Sequence, residues 1–248
     1  MRRQPQKRPC VDSASPTAVA DLDATLWRIL PTVSDQCSVN AQISLRSYPT
    51  SGSYNVYFIQ NMNTTLVDSK CTVVSMENAR NAEVEERLLA DNDKCRLLAI
   101  DDKRAHNESE RIRHLPLSMF TAHDANTPND GVDVMGMIGN RVGGIVDLML
   151  IGSETKSNVY ANLLLTEPND VIVCQVNLSH FSVNLLYHEP RNDDISQFID
   201  LIRTLLNDER YVLMRADRDR QSLNMLLFFV NHQDQYCLDR YLRMYSFD

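Results

Sequence analysis

No stretch of the 248-residue chain reaches the ~18 consecutive apolar residues of a membrane span, and no apolar run follows the basic N-terminus as a secretion leader requires. Glycine is scarce at seven, lysine at five and tryptophan at one. No G-x-G-x-x-G opens a helix after a strand, and no G-x-S-x-G elbow is present. The GNRVGG run at 139–144 lacks the Lys-Ser/Thr with which a P-loop grips phosphate. The six cysteines (Cys10, Cys37, Cys71, Cys95, Cys174 and Cys237) are far apart, with neither CxxC nor a zinc-like Cys–His spacing. Without a leader, reduced thiols in a cytosolic compartment are expected, and the sequons at Asn63, Asn107 and Asn177 are chance matches.

What is present is an ordinary globular composition, 43% hydrophobic and 23% charged. A chain this long buries roughly 70–75% of its unfolded surface. Charge is unevenly placed. Arg2, Arg3, Lys7 and Arg8 put +4 into the first eight residues, so against a net −8 the remainder carries −12. A basic arm on an acidic body suits RNA, a membrane surface, or the acidic face of another copy; a solvated tail is the plain alternative. Arginine outnumbers lysine 20 to 5, which favours bidentate carboxylate pairing at interfaces, although codon bias produces the same ratio.

Periodicity predicts a mixture of strands and helices. Ser15-Pro16 resembles a cap with proline at the first helical position, and Val19, Leu22, Leu26, Ile29 and Leu30 share one helical face until Pro31 ends it. A hairpin comes next in VNAQISLRSY–PTSG–SYNVYFIQN, where Val39, Ala41, Ile43 and Leu45 alternate with polar residues. Strands are expected at 66–74 and 96–100, with an acidic helix over 79–90 between them. Residues 101–114 are charged enough to form a long surface loop. Six of the seven glycines (Gly131, Gly136, Gly139, Gly143, Gly144 and Gly152) mark tight turns between strands. Later strands are expected at 160–165, 171–178, 181–187, 210–215 and 223–230. A helix capped by Asp193 or Asp194 places Ile195, Phe198, Ile199, Ile202 and Leu205 inward.

Candidate chemistry is thin. His180 and His188 flank one expected strand, near Tyr187 and Glu189, but eight residues of strand separate them by roughly 26 Å, too far to share a metal. His106, His114 and His123 fit no compact ligand set, and Asp101-Asp102 and Asp193-Asp194 read as loop and cap residues. The expectation is no catalytic residue, no metal and no cofactor.

Adjacent strands and few helices favour an α+β chain, mainly an antiparallel β-sandwich with a few attached helices and an N-terminal helical arm. Residues 1–30 form the arm and helix, and 31–248 a single β-rich body. The amphipathic helix of 15–30 behind a polar arm, the hairpin NAQISLRSYPTSGSYNVYFIQN and the run VNLSHFSVNLLYHEPRNDDISQFIDLIRTLL together resemble the polyhedrins of cypoviruses. The chain is poorer in glycine, tyrosine and tryptophan than that family. The resemblance implies a non-enzymatic protein that self-assembles into the crystalline matrix of viral occlusion bodies in the host cytoplasm. Its partners would be copies of itself and virus particles, with no membrane and little nucleic acid. An RNA- or nucleotide-binding accessory protein, using the basic arm and the Gly131–Gly152 segment, is the alternative.

Overall fold

The computed structural model describes residues 19–40, 43–50, 55–59, 70–76, 82–101, 109–116, 134–152, 171–180, 192–218 and 224–242. Its centre is a seven-stranded sheet. In chain order the seven strands are β3 (Cys71–Met76), β4 (Cys95–Ile100), β5 (Ile112–Leu115), β7 (Leu148–Ile151), β9 (Gln175–His180), β10 (Tyr211–Arg218) and β11 (Met225–Asn231). Their spatial order is β10-β11-β9-β7-β3-β4-β5. The pairs β3–β4, β4–β5, β3–β7 and β7–β9 are parallel, and β11 alone runs against the rest, inserted between β9 and β10. A two-stranded hairpin, β1 (Leu45–Pro49) and β2 (Asn55–Ile59), and a short parallel pair, β6 (Ile145–Val146) and β8 (Ile172–Val173), complete the strands.

This arrangement overturns the antiparallel sandwich. The strands CTVVSM, CRLLAI and LMLI are apolar almost without interruption and buried on both faces. Continuous apolar runs belong to parallel sheets covered on both sides, whereas a sandwich strand alternates. One face packs on α1 (Val19–Asn40), α3 (Val134–Val142) and α4 (Asn192–Asn207). The other face carries the hairpin, α2 (Ala82–Asp91) and a C-terminal segment, α5 (Gln235–Cys237), that widens into a π-type turn over Leu238–Leu242. The hairpin lies on β9 through side chains. Asn177 accepts from the Tyr57 N–H at 2.9 Å and donates to its carbonyl at 2.7 Å, while Gln175 accepts from the Ile59 N–H at 2.7 Å. These buried amides satisfy backbone groups that would otherwise be orphaned on the sheet face.

Further expectations need correcting. The first helix does not stop at Pro31 but runs on to Asn40, so Val39 ends a helix rather than starting a strand. Pro31 lacks the N–H that would bond one turn back. Ser34 bridges the helix to the sheet, donating to the Pro31 carbonyl at 2.9 Å and accepting the Ala216 N–H of edge strand β10 at 2.8 Å. Within the 101–114 segment, expected to be loop, Ile112 starts edge strand β5. Arg111 anchors that strand by donating to the carbonyls of Leu89, Asn92 and Cys95, which closes the C-terminus of α2. Among the clustered glycines, Gly136 and Gly139 lie inside α3 rather than in turns, and a Cβ at Gly139 would sit 2.4 Å from Val171 Cγ2. Gly143 and Gly144 do make the expected turn, both at positive φ. The thiols expected to be reduced form disulfides, Cys71–Cys95 and Cys174–Cys237. The expected strands at 160–165 and 181–187, and the arm at 1–18, lie outside the described residues.

Helix α1 contributes to the core, with Trp27 and Leu30 buried and the Trp27 ring edge-on to Phe198 of α4 at 4.7 Å between centroids. Truncating Trp27 to Ala is expected to destabilise the protein by about 3–5 kcal/mol in urea denaturation. A variant as stable as the parent would show that α1 is dispensable to the body.

Candidate functional site

In a doubly wound sheet, ligands bind outside the carboxyl ends of the strands where the strand order reverses. Here the reversal falls between β3, from which the chain winds outward through β4 to β5, and β7, from which it winds the other way through β9. The carboxyl ends facing that edge are Met76, Ile100, Leu115, Ile151 and His180. The Gly152 N–H donates to the Met76 carbonyl at 2.8 Å, carrying the ladder to the very end of β3. Asp101 comes directly after β4, is buried, and is fixed in place by its N–H on the Leu115 carbonyl at 3.1 Å. One layer beneath, the Ser75 hydroxyl donates to the buried Glu85 carboxylate at 2.5 Å, locking the first turn of α2 against β3. The edge thus presents one carboxylate, Asp101, beside the reversal point, with a second, Glu85, holding the adjoining helix.

The opposite, amino-terminal end holds a denser polar cluster. Asp147, just before β7, accepts the Thr72 N–H at 2.7 Å and the Tyr241 hydroxyl at 2.7 Å. It also meets the Arg240 guanidinium at 3.3 Å, with both side chains 1% exposed. Arg240 in turn donates to the Lys70 carbonyl at 3.1 Å and to the Tyr236 hydroxyl. Burial pushes the Asp147 carboxyl up, opposed by Arg240, Tyr241 and the Thr72 amide. Burial likewise pushes the Tyr241 phenol far up, with the Asp147 charge adding to it. These bonds tie β3, β7 and the C-terminal segment together in a buried cluster.

The residues singled out in the sequence are not gathered into one site. His180 ends β9, His114 is buried in β5, and Asp193 and Asp194 fall in the first turn of α4. His106, His123, Tyr187, His188, Glu189 and Asp102 lie outside the described residues. Among the described residues, no group of His, Cys, Asp and Glu is placed to hold a metal. Sequence reading missed Asp147, Glu85 and Arg240. A signal existed for the first: an aspartate inside the apolar run IVDLML demands a buried partner.

No family model matches the chain, and no curated protein matches it in sequence. In structure it is similar to the fibrillarin pre-rRNA processing protein of Methanococcus jannaschii, with TM-score 0.44 and 10% identity over 76% of this chain and 83% of that one. It is also similar to the METTL16 MTase domain (0.43, 7%, 68% and 63%) and to human methyltransferase-like protein 13 in complex with SAH (0.40, 14%, 74% and 86%). At these scores the likeness carries no argument of its own. The polyhedrin reading is overturned, and with it the non-enzymatic matrix protein, the occlusion body and the insect-virus setting. That reading requires an antiparallel sandwich, and the chain instead builds a largely parallel, doubly wound sheet. The proteins it is similar to are methyltransferases and an rRNA-processing protein.

Two outcomes test the division between the ends. Asp147→Ala leaves Arg240 buried without its counter-charge and is expected to destabilise the protein by about 3–5 kcal/mol in urea, while Asp147→Ala/Arg240→Met recovers much of the loss. The second outcome concerns alkaline pH. Tyr211 and Tyr241 are pushed up chiefly by burial, and Tyr48 by burial and its hydroxyl bond to Asp91. The folded state holds these phenols neutral, so stability is full below the unfolded value near 10 and drains away as pH rises beyond it. Ultraviolet titration should show ordinary tyrosines ionising first and a late cooperative step coincident with loss of circular dichroism. Ionisation of every tyrosine together near pH ~10, with the fold intact, would contradict this.

Proposed function

We propose that the chain binds a nucleoside cofactor across the carboxyl edge of β3, β4 and β7 and acts in methyl transfer. The observation that carries this reading is Asp101, a buried carboxylate at the end of the strand next to the reversal point. In doubly wound folds an acidic residue in this neighbourhood accepts hydrogen bonds from ribose hydroxyls. The first crossover argues against a dinucleotide. A diphosphate needs glycines to let backbone approach it, and there is no glycine between Gly52 and Gly131. A cofactor with a ribose but no diphosphate fits both facts. S-adenosylmethionine is such a molecule, and S-adenosylmethionine dependence is named for one of the similar structures, from Aquifex aeolicus.

On this reading Asp101 orients the ribose, and the Ser75–Glu85 bond keeps α2 in register beneath it. When bound, S-adenosylmethionine supplies an electrophilic methyl on a sulfonium. The described side chains contribute binding and orientation at this edge. The nucleotide-binding alternative drawn from the sequence accords with this reading better than the lattice protein did.

Calorimetric titration with S-adenosylmethionine and S-adenosylhomocysteine tests the proposal, with NAD as the contrasting ligand. The adenosyl ligands should bind and NAD should not. Asp101→Asn should weaken adenosyl binding about 10- to 100-fold, the value of a lost charge-assisted hydrogen bond, while leaving the melting temperature close to the parent's. No binding of either adenosyl ligand at millimolar concentration would sink the reading.

A further inference from the structure

Among the described residues, the two faces of the sheet are covered unequally. One carries the 22-residue α1 and the 16-residue α4, together with α3. The other carries the ten-residue α2, a hairpin of five-residue strands and the short C-terminal segment. A lone two-stranded hairpin and helices this short are marginal by themselves. Both disulfides lie in this thinner layer, where Cys71, Cys95, Cys174 and Cys237 belong to one apolar cluster and are at most 1% exposed. Cys71–Cys95 joins directly opposed residues of β3 and β4, and Cys174–Cys237 fastens α5 to the entry of β9. The two bonds join residues 24 and 63 positions apart. The buried Asp147–Arg240 pair engages the same C-terminal segment.

We propose that the two cross-links substitute for the packing that longer helices supply on the other face, so that the chain reaches its full stability only as an oxidised protein, in a disulfide-forming compartment. Each bond forms when two thiols give up two protons and two electrons to a disulfide-exchanging oxidant, such as an oxidised dithiol protein, whose own disulfide becomes two thiols. Closing loops of these lengths removes disorder from the unfolded chain, so stability depends directly on the redox state. The alternative is that four reduced thiols fill the layer as small apolar side chains. This proposal does not depend on the cofactor reading.

The test uses the full chain, produced both in an oxidising compartment and in a reducing cytosol. Free thiols are alkylated under denaturing conditions and mapped by peptide mass. The oxidised product should show Cys71 linked to Cys95 and Cys174 linked to Cys237. Protein refolded with dithiothreitol present should melt about 10 °C or more lower, with faster amide exchange in β1, β2 and α5 than in α4. Cys174→Ser/Cys237→Ser should reproduce part of that shift without reductant; if it fails to fold, the mass map and melting comparison still decide. Four free thiols in the oxidising-compartment product, or cytosolic protein with free thiols melting at the same temperature as the cross-linked form, would overturn the proposal.

Discussion

The carboxylate of Asp147 is the point at which β3, β7 and the last described segment meet. Its oxygens accept from the β3 backbone at Thr72 and from Tyr241 and Arg240 in the last described segment, while its own backbone leads into β7. Buried charge is tolerated only when it is partnered, and here the partners come from β3 and from the C-terminal segment. The arrangement fixes the spacing of the two strands on either side of the reversal point from below. It does so without occupying the edge above, where ligands approach a sheet of this order.

The buried ion pair and the cross-links thus sit at one end of the strands, opposite the edge that carries Asp101. The amino-terminal end collects the ion pair and both disulfides; the carboxyl end presents Asp101 and the termini of β3 and β7.

Much of the fold was legible in local pattern, and its layout was not. The hairpin of β1 and β2, the acidic helix, the helix ending at Asn207 and strands β10 and β11 all emerge from periodicity. What failed was the inference from many strands to an antiparallel sandwich. The unbroken apolar character of Val73-Val74 in β3, Leu97-Leu98 in β4 and Leu148–Ile151 in β7 carried the contrary signal, that both faces are covered and the strands run parallel. Pro31 misled because a proline inside a helix removes one bond of the ladder without ending the helix where the next turn is held by the body of the fold, as Ser34 is held here by the Ala216 amide of β10. The candidate site was illegible because Asp101 takes its meaning from strand order, which no short motif encodes.

The Ser34 bridge has a consequence for how copies of the chain meet. An outer strand offers unpaired amides on which another chain can template, and β10 is the longest strand in the sheet, at eight residues. Ser34 takes up the Ala216 amide midway along it, and Asp35 of the same helix holds Arg215 at 2.6 Å, so α1 lies along the strand like a guard rail. The other outer strand, β5, is four residues long and tethered by Arg111. The described contacts take up part of the β10 margin and leave only a short one at β5, two features that disfavour extension of the sheet by a second chain.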